Sequence, residues 1–124
     1  MLNINLNQES GIAVLEPDGE LTAEDFISAA QIIDTHIEQT GILNGIIIHA
    51  KTFPGWDSFS ALTSHLTFIK EHHKKISCVA FSTDSPIVKL AETVASHFVA
   101  AKIKTFPFSE IDNAKLWITE TSSS

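Results

Sequence analysis

The first seventeen residues alternate between apolar and polar positions in the way that β-strands do. Leu2, Ile4 and Leu6 occupy every second position, and a second apolar run covers residues 12–15. Side chains two positions apart lie on the same face of a strand, so both runs predict strands. Residues 7–11 between them have the composition of a turn. The pattern therefore predicts an antiparallel β-hairpin at the start of the sequence.

Four later segments carry helix signals. Thr22 is expected to cap the first helix and Gly41 to end it. The second helix is predicted to begin near Asp57, the third at Ser85, which precedes a proline, and the fourth at Ser109. The residues expected on the buried sides of the first and last helices are Phe26, Ala29, Ala30, Ile33 and Ile37, and Ala114, Trp117 and Ile118.

Three short apolar runs alternate with these helices, at residues 45–50, 76–82 and 103–108. The first two have the nearly continuous apolar character of strands buried on both faces, while Pro107 places the third at a sheet edge. Strands that alternate with helices favour right-handed crossovers and parallel pairing. The chain is therefore predicted to be an α/β protein with a mixed, mostly parallel sheet, an N-terminal antiparallel hairpin and four helices.

Composition narrows both the organisation and the partners. A chain of 124 residues with 44% hydrophobic residues is expected to form one domain, over residues 1–118, followed by a disordered polar tail at 119–124. The formal net charge of −7 and the lack of any arginine argue against nucleic acid. The single cysteine, Cys78, lies in an apolar run and is expected to be a small buried side chain.

The first residues of the sequence are not expected to act as a signal peptide, because they lack both a basic start and a long apolar run. No segment approaches the roughly 18 continuous apolar residues of a membrane-spanning helix. The expected location is therefore cytoplasmic.

Five pieces of the chain form a recognisable set when they are taken in order. They are DGELTAEDF, GIIIHA, FPGWD, VAFSTD and FPFSEIDNAKLWI, which together extend over residues 18–118. In this order they resemble the STAS fold of sporulation anti-anti-sigma factors and, more closely, the bacterial family described as SpoIIAA-like. The resemblance implies a single STAS-like domain.

The same resemblance gives a role to the pair Asp57-Ser58. In anti-anti-sigma proteins an Asp-Ser pair follows the central strand, and its serine is phosphorylated by a partner kinase, which switches partner binding. Ser58 occupies the matching place and is a candidate phosphosite. Phe59 departs from the family pattern, which has a second small hydroxyl residue and then glycine. The alternative is that Asp57 and Ser58 only cap the second helix.

Aromatic residues gather around the turns that follow the central strands. Phe53, Trp56 and Phe59 lie at the first turn, with Leu62 one helical turn on, and Phe81 lies near the second. Ligands of open α/β sheets favour the crevice beyond the carboxyl ends of the strands. The SpoIIAA-like family also resembles lipid-carrying CRAL-TRIO domains, which implies a nonpolar ligand. These five residues are the candidate ligand-binding residues; the alternative is that their side chains belong to the ordinary core.

Neither a metal site nor a catalytic motif is predicted. Of the six histidines, His72 and His73 point about 100° apart on a helix, and His65 is two turns away from His72. The histidines are therefore expected to be solvent-exposed, with no metal and no cofactor. The chain also has no Gly-x-Ser-x-Gly elbow and no glycine-rich phosphate loop, so it is not expected to be an enzyme.

The leading hypothesis is a non-enzymatic binding protein with an apolar ligand site, or a membrane-association site, at the junction of the central strand and the second helix. Movement of amphipathic helices would cover or expose this site. The alternative is a phosphorylation-controlled protein-partner switch with Ser58 as the phosphosite. The expected partners are a lipid or other nonpolar small molecule, the inner face of the membrane, or a protein, and a homodimer is left open.

Overall fold

The computed structural model describes residues 2–7, 9–17, 23–50, 76–84 and 102–122. Its elements, in chain order, are β1 (Leu2–Asn7), β2 (Ile12–Pro17), α1 (Ala23–Thr40), β3 (Leu43–His49), β4 (Ile76–Ser82), β5 (Lys102–Phe106), a 3₁₀ turn (Phe108–Glu110) and α2 (Ile111–Ser122). The first and last of the four predicted helices are confirmed. The other two fall within residues 51–75 and 85–101, outside the described residues.

The five strands form one sheet in the order β1-β2-β3-β4-β5. β1 and β2 pair antiparallel, with Ile4 opposite Leu15. The other neighbouring pairs are parallel, and Ile47 lies opposite Ala80 at the centre of the sheet. The α/β class, the mixed and mostly parallel sheet and the N-terminal hairpin are therefore confirmed.

The hairpin turn also fixes the start of β3. Gly11 has a φ of 67°, a left-handed conformation that glycine adopts at little cost. Its carbonyl oxygen accepts hydrogen bonds from the backbone N–H groups of Asn44 (2.9 Å) and Gly45 (3.2 Å). The Asn44 side chain in turn donates to the Ser10 carbonyl at 2.7 Å. The turn and the neighbouring strand are thus held together by three hydrogen bonds.

Helix α1 covers one face of the sheet. Ile33 and Ile37 are buried there, as the helical spacing predicts. The helix ends at Gly41, whose φ is 85° and whose N–H donates to the Ile37 carbonyl at 2.7 Å. The expectation of exposed histidines is wrong for His36, which is only 4% exposed. Its position three residues after Ile33 places it near the same inward face.

The core is divided between the two faces of the sheet. The cluster on the α1 face consists of Ala13, Leu15, Ile33, Ile37, Leu43, Ile46, Ile48, Ile76, Val79 and Phe81. The cluster on the α2 face consists of Ile12, Val14, Ile47, Cys78, Ala80, Ala114 and Ile118. Successive strand residues belong to opposite clusters because a strand alternates its side chains between the faces.

Helix α2 packs its predicted side against the second face. Ala114 and Ile118 are fully buried, and Trp117 is half-buried with its ring 6.0 Å from that of Phe106. Ile118 lies so close to Gly45 that a Cβ atom added to the glycine would be 2.6 Å from two Ile118 carbons. The absence of a side chain at Gly45 therefore permits the close approach of α2 to β3.

The boundaries of α2 differ from the prediction at both ends. Ser109 is not the N-cap, because it lies inside the 3₁₀ turn that follows Pro107, and the α-helix begins at Ile111. The predicted tail at 119–124 is wrong for its first four residues, which continue the helix to Ser122. Within this last part of the helix, the Thr119 hydroxyl donates a hydrogen bond to the Lys115 carbonyl at 2.9 Å. Threonine commonly makes this bond to the carbonyl four residues earlier in a helix.

Cys78 is fully buried in the α2-face cluster, as predicted. Burial raises the pKa of its thiol above the ordinary value of 9.0, and the positive charge of Lys102 opposes this rise. Because the thiolate is the reactive form, the native thiol is poorly suited to nucleophilic chemistry at neutral pH.

Candidate functional site

The central strands end side by side at one edge of the sheet. His49, the last residue of β3, lies opposite Ser82, the last residue of β4. Just beyond this pair, the Ala50 N–H donates to the Ser82 carbonyl at 3.1 Å. In the sequence, residues 51–75 follow β3 and residues 85–101 follow β4.

Three polar side chains lie in a row along this edge on the α2 face. Glu16, His49 and Ser82 each come two residues after a strand residue of the α2-face cluster, so they share that face. His49 Nδ1 is 3.4 Å from Glu16 Oε2. The His49 side chain is 14% exposed and that of Glu16 is 48% exposed. The row therefore runs from a partly exposed carboxylate to a buried hydroxyl.

Phe108 contacts two residues of this row, His49 and Ser82. Its ring stacks on the His49 imidazole with centroids 4.2 Å apart and planes 6° apart. Its carbonyl oxygen lies 3.2 Å from His49 Nε2, on the opposite side of the ring from Glu16. Both ring nitrogens thus face oxygen acceptors. A neutral imidazole can donate a hydrogen bond to one of these two oxygens, and a protonated imidazole can donate to both. Each ring nitrogen of His49 therefore has an oxygen neighbour among the described residues.

Two more side chains hold the same loop. The buried Ser82 hydroxyl lies within donating distance of the carbonyls of Pro107 (3.1 Å) and Phe108 (3.3 Å). Asp84 Oδ1 accepts a hydrogen bond from the Phe108 N–H at 3.1 Å. We call Glu16, His49, Ser82, Asp84 and Phe108 the edge clamp. It fixes the chain between β5 and α2 against the carboxyl ends of β2, β3 and β4.

Of the five predicted ligand-binding residues, the structure describes only Phe81. Phe53, Trp56, Ser58, Phe59 and Leu62 lie outside the described residues, so the ligand site and the phosphosite stay predictions. Phe81 is described: it is 0% exposed and packs in the α1-face cluster. That position agrees with the alternative that its ring belongs to the core.

A family model described as SpoIIAA-like matches residues 12–119. The chain belongs to the SpoIIAA-like family. Family membership suggests a STAS-type domain that acts through protein–protein interaction. Searches of curated proteins and of solved structures find no match.

The edge clamp of this SpoIIAA-like chain was missed at the sequence level. A signal was available, because buried strands β3 and β4 each end in a polar residue, His49 and Ser82. Their common partner could not be found in the same way, since Phe108 approaches from a loop about sixty positions away from His49. Asp84 directly precedes the predicted helix start at Ser85, and its carboxylate accepts a hydrogen bond from the Phe108 N–H.

The order of the described strands does not create the kind of crevice in which open α/β sheets bind ligands. In doubly wound sheets the crevice forms where the strand order reverses. Here the parallel strands β2, β3, β4 and β5 follow one another without reversal. The carboxyl edge therefore remains a candidate because of the residues that follow it, while the strand order itself provides no switch point.

The part of the chain that the structure describes contains no group of three His, Cys, Asp or Glu side chains that could hold a metal ion. Within the same residues, no helix is both long and apolar enough to cross a membrane.

Replacing Ser82 with alanine is expected to lower the free energy of unfolding by about 1 kcal/mol, because the fully buried Ser82 hydroxyl no longer donates a hydrogen bond to the Pro107 carbonyl. Urea denaturation followed by circular dichroism measures this difference. The matched control is Ser109→Ala in the exposed 3₁₀ turn, for which a change within about 0.5 kcal/mol is expected. Equal effects of the two substitutions would contradict a structural role for the Ser82 hydroxyl.

Proposed function

We propose that this SpoIIAA-like protein is a non-catalytic binding protein that holds a nonpolar ligand, or the surface of a membrane, beyond the carboxyl edge of β3 and β4. The observation that carries this proposal is the pairing of His49 with Ser82, which brings the ends of both central strands together. Residues 51–75, which contain Phe53, Trp56 and Phe59, continue directly from this point. These aromatic residues therefore lie between four and ten positions after His49 in the sequence.

The edge clamp supports binding rather than catalysis at this place. A general base needs a nitrogen or oxygen directed toward the substrate. Both nitrogens of His49 are instead turned toward Glu16 and the Phe108 carbonyl. We propose that the clamp is a rigid support that holds one side of the binding region still while amphipathic helices move over the other.

Trp56 is the residue whose environment tests the proposal. If it lines an apolar site, titration with oleate or with phosphatidylglycerol vesicles shifts its fluorescence to shorter wavelength and saturates, because the indole moves to a drier environment. The measurement is made in the Trp117→Phe variant, since Trp117 is the other tryptophan and lies against Phe106. A spectrum insensitive to both oleate and vesicles would contradict ligand binding at Trp56.

The matched control is the Trp56→Phe variant, which keeps Trp117 as the reporter. Trp117 packs between α2 and β5, far along the chain from residues 53–62. Its fluorescence is expected to change little on addition of oleate. A similar shift in both variants would indicate a general change of the protein rather than binding near Trp56.

A second candidate is a partner switch controlled by phosphorylation of Ser58, which the resemblance to anti-anti-sigma factors implies. Ser58 lies within the residues that the family model matches. A helix N-terminus accommodates an anion, which is compatible with a phosphoserine there. Native mass spectrometry of the protein purified from its own cells separates the two candidates. A retained nonpolar molecule supports the ligand site, and a phosphate adduct that disappears in Ser58→Ala supports the switch.

A further inference from the structure

Strand β1 forms one edge of the sheet, and among the described strands none pairs with its outer side. Its sequence alternates strictly: Leu2, Ile4 and Leu6 alternate with Asn3, Asn5 and Asn7. Ile4 and Leu6 pack on the α1-face cluster, so the asparagines lie on the opposite face, where they are exposed. The strand carries no charge at any of its six positions.

The other edge of the sheet is different. β5 carries two exposed lysines, Lys102 and Lys104, and the Lys104 ammonium lies 5.3 Å from the centroid of the Phe106 ring. Charged side chains, lysine above all, are a common device that prevents an edge strand from pairing with another chain. β1 lacks this device. In a protein with a net charge of −7, an uncharged edge is a surface at which two copies meet without direct repulsion.

A groove of about 440 Å³ runs beside β1, between this strand and α1. Leu6 and Ile32 supply apolar atoms, and Ile32 is 40% exposed although it is a large hydrophobic residue. Thr35 and Gln39 are among its uncharged polar residues, and the described lining contains no Asp, Glu or Lys. A strand added next to β1 would direct its apolar side chains toward this groove.

We propose that the outer edge of β1 pairs antiparallel with β1 of a second copy of this chain, so that two five-stranded sheets join into one. A strand that pairs with itself about a two-fold axis must place residues of the same face opposite each other. Two registers satisfy this condition, one centred on Ile4 and one centred on Asn5. Both place apolar residues opposite apolar residues and asparagine opposite asparagine.

This self-pairing explains features that a foreign strand would not require. One face of β1 carries only leucine and isoleucine and the other only asparagine. In both registers, each residue that lies opposite β1 of the second copy therefore faces a residue of the same kind. The two-fold axis also brings the grooves of both copies to the same side of the joined sheet, where the apolar side chains of each β1 can enter them. The outer edge of β1 is a different surface from the carboxyl edge of β3 and β4. A result against the dimer would therefore not count against the proposed ligand site, and the reverse also holds.

The test changes the charge of the exposed asparagines. In the double variant Asn3→Lys/Asn5→Lys, the register centred on Ile4 places residue 3 opposite residue 5, and the register centred on Asn5 places residue 5 opposite itself. Lysine then faces lysine in either case, which destabilises the pairing. Sedimentation equilibrium from 5 to ~200 µM, a range that covers micromolar affinity, is expected to show dimers for the unmodified chain and monomers for this variant.

A second variant, Asn3→Glu/Asn5→Glu, makes the test specific for the edge. It is expected to be monomeric alone and to form a mixed dimer with the lysine variant, because opposite charges then face each other. Circular dichroism melting curves show whether both variants are folded. The proposal is overturned if the unmodified chain stays monomeric, which would leave the edge to a strand of a different protein, or if folded variants dimerise as the unmodified chain does.

Discussion

Replacing Phe81 with alanine is expected to lower the free energy of unfolding by about 3–5 kcal/mol, which makes it one of the two largest effects that the structure predicts. Phe81 is 0% exposed and is among the largest fully buried side chains of the described residues. Its removal forfeits the transfer free energy of the ring and leaves a cavity against the α1-face cluster. Urea denaturation followed by circular dichroism measures the difference.

Phe81→Leu is the matched control, because it keeps most of the apolar volume and is expected to cost much less than the alanine variant. The pair also tests the sequence prediction that Phe81 borders a nonpolar ligand. If it does, oleate raises the melting temperature of Phe81→Ala more than that of the unmodified chain, because the ligand fills space in the folded state. An equal rise in both proteins would place the ring in the core alone.

Replacing Gly45 with alanine is expected to lower the free energy of unfolding by about 1–3 kcal/mol, although alanine is normally the better strand residue. The added Cβ would be 2.6 Å from two carbons of Ile118, whose side chain is itself fully buried and has little room to move. Helix α2 must therefore shift away from β3. Urea denaturation, with Trp117 fluorescence as a reporter on α2, measures both the loss and the shift.

The cause is isolated by a double-mutant cycle with Ile118→Ala. Once Ile118 is shortened, the methyl group at position 45 is expected to cost little or to stabilise the protein, so the two losses do not add. The control is Gly41→Ala, where a Cβ meets no atom within 4 Å and the loss comes from the φ of 85°. That loss is expected to persist in the Ile118→Ala background. Additive losses for Gly45→Ala would contradict the steric explanation.

Local periodicity was sufficient for most of the described fold. The alternation of Leu2, Ile4 and Leu6 and the apolar run at residues 12–15 predict the hairpin, because side chains on one strand face report directly on burial. The stripe that includes Ile33 and Ile37 likewise predicts the buried side of α1. These features depend on neighbours within a few residues, which is why the sequence contains them.

The features that were missed depend on partners far away in the chain. Ser109 has the local signature of an N-cap, but the turn after Pro107 is held by Ser82 and Asp84, so the helix begins later. His49 could be placed at a strand end from its sequence, but not beneath Phe108. The sequence therefore predicts where the candidate site lies, at the carboxyl edge. It does not predict the contacts that the residues make there.

The order of the strands bears on how the chain folds as it is synthesised. Each described strand after β1 pairs with the described strand before it in the sequence. These five strands can therefore join one after another from the N-terminal hairpin, with none of them inserting between two earlier ones. Among the described residues, the helix at 111–122 covers the α2 face, with Ala114 and Ile118 over the central strands. Of the two described helices, the one that covers this apolar face is therefore the last to be synthesised.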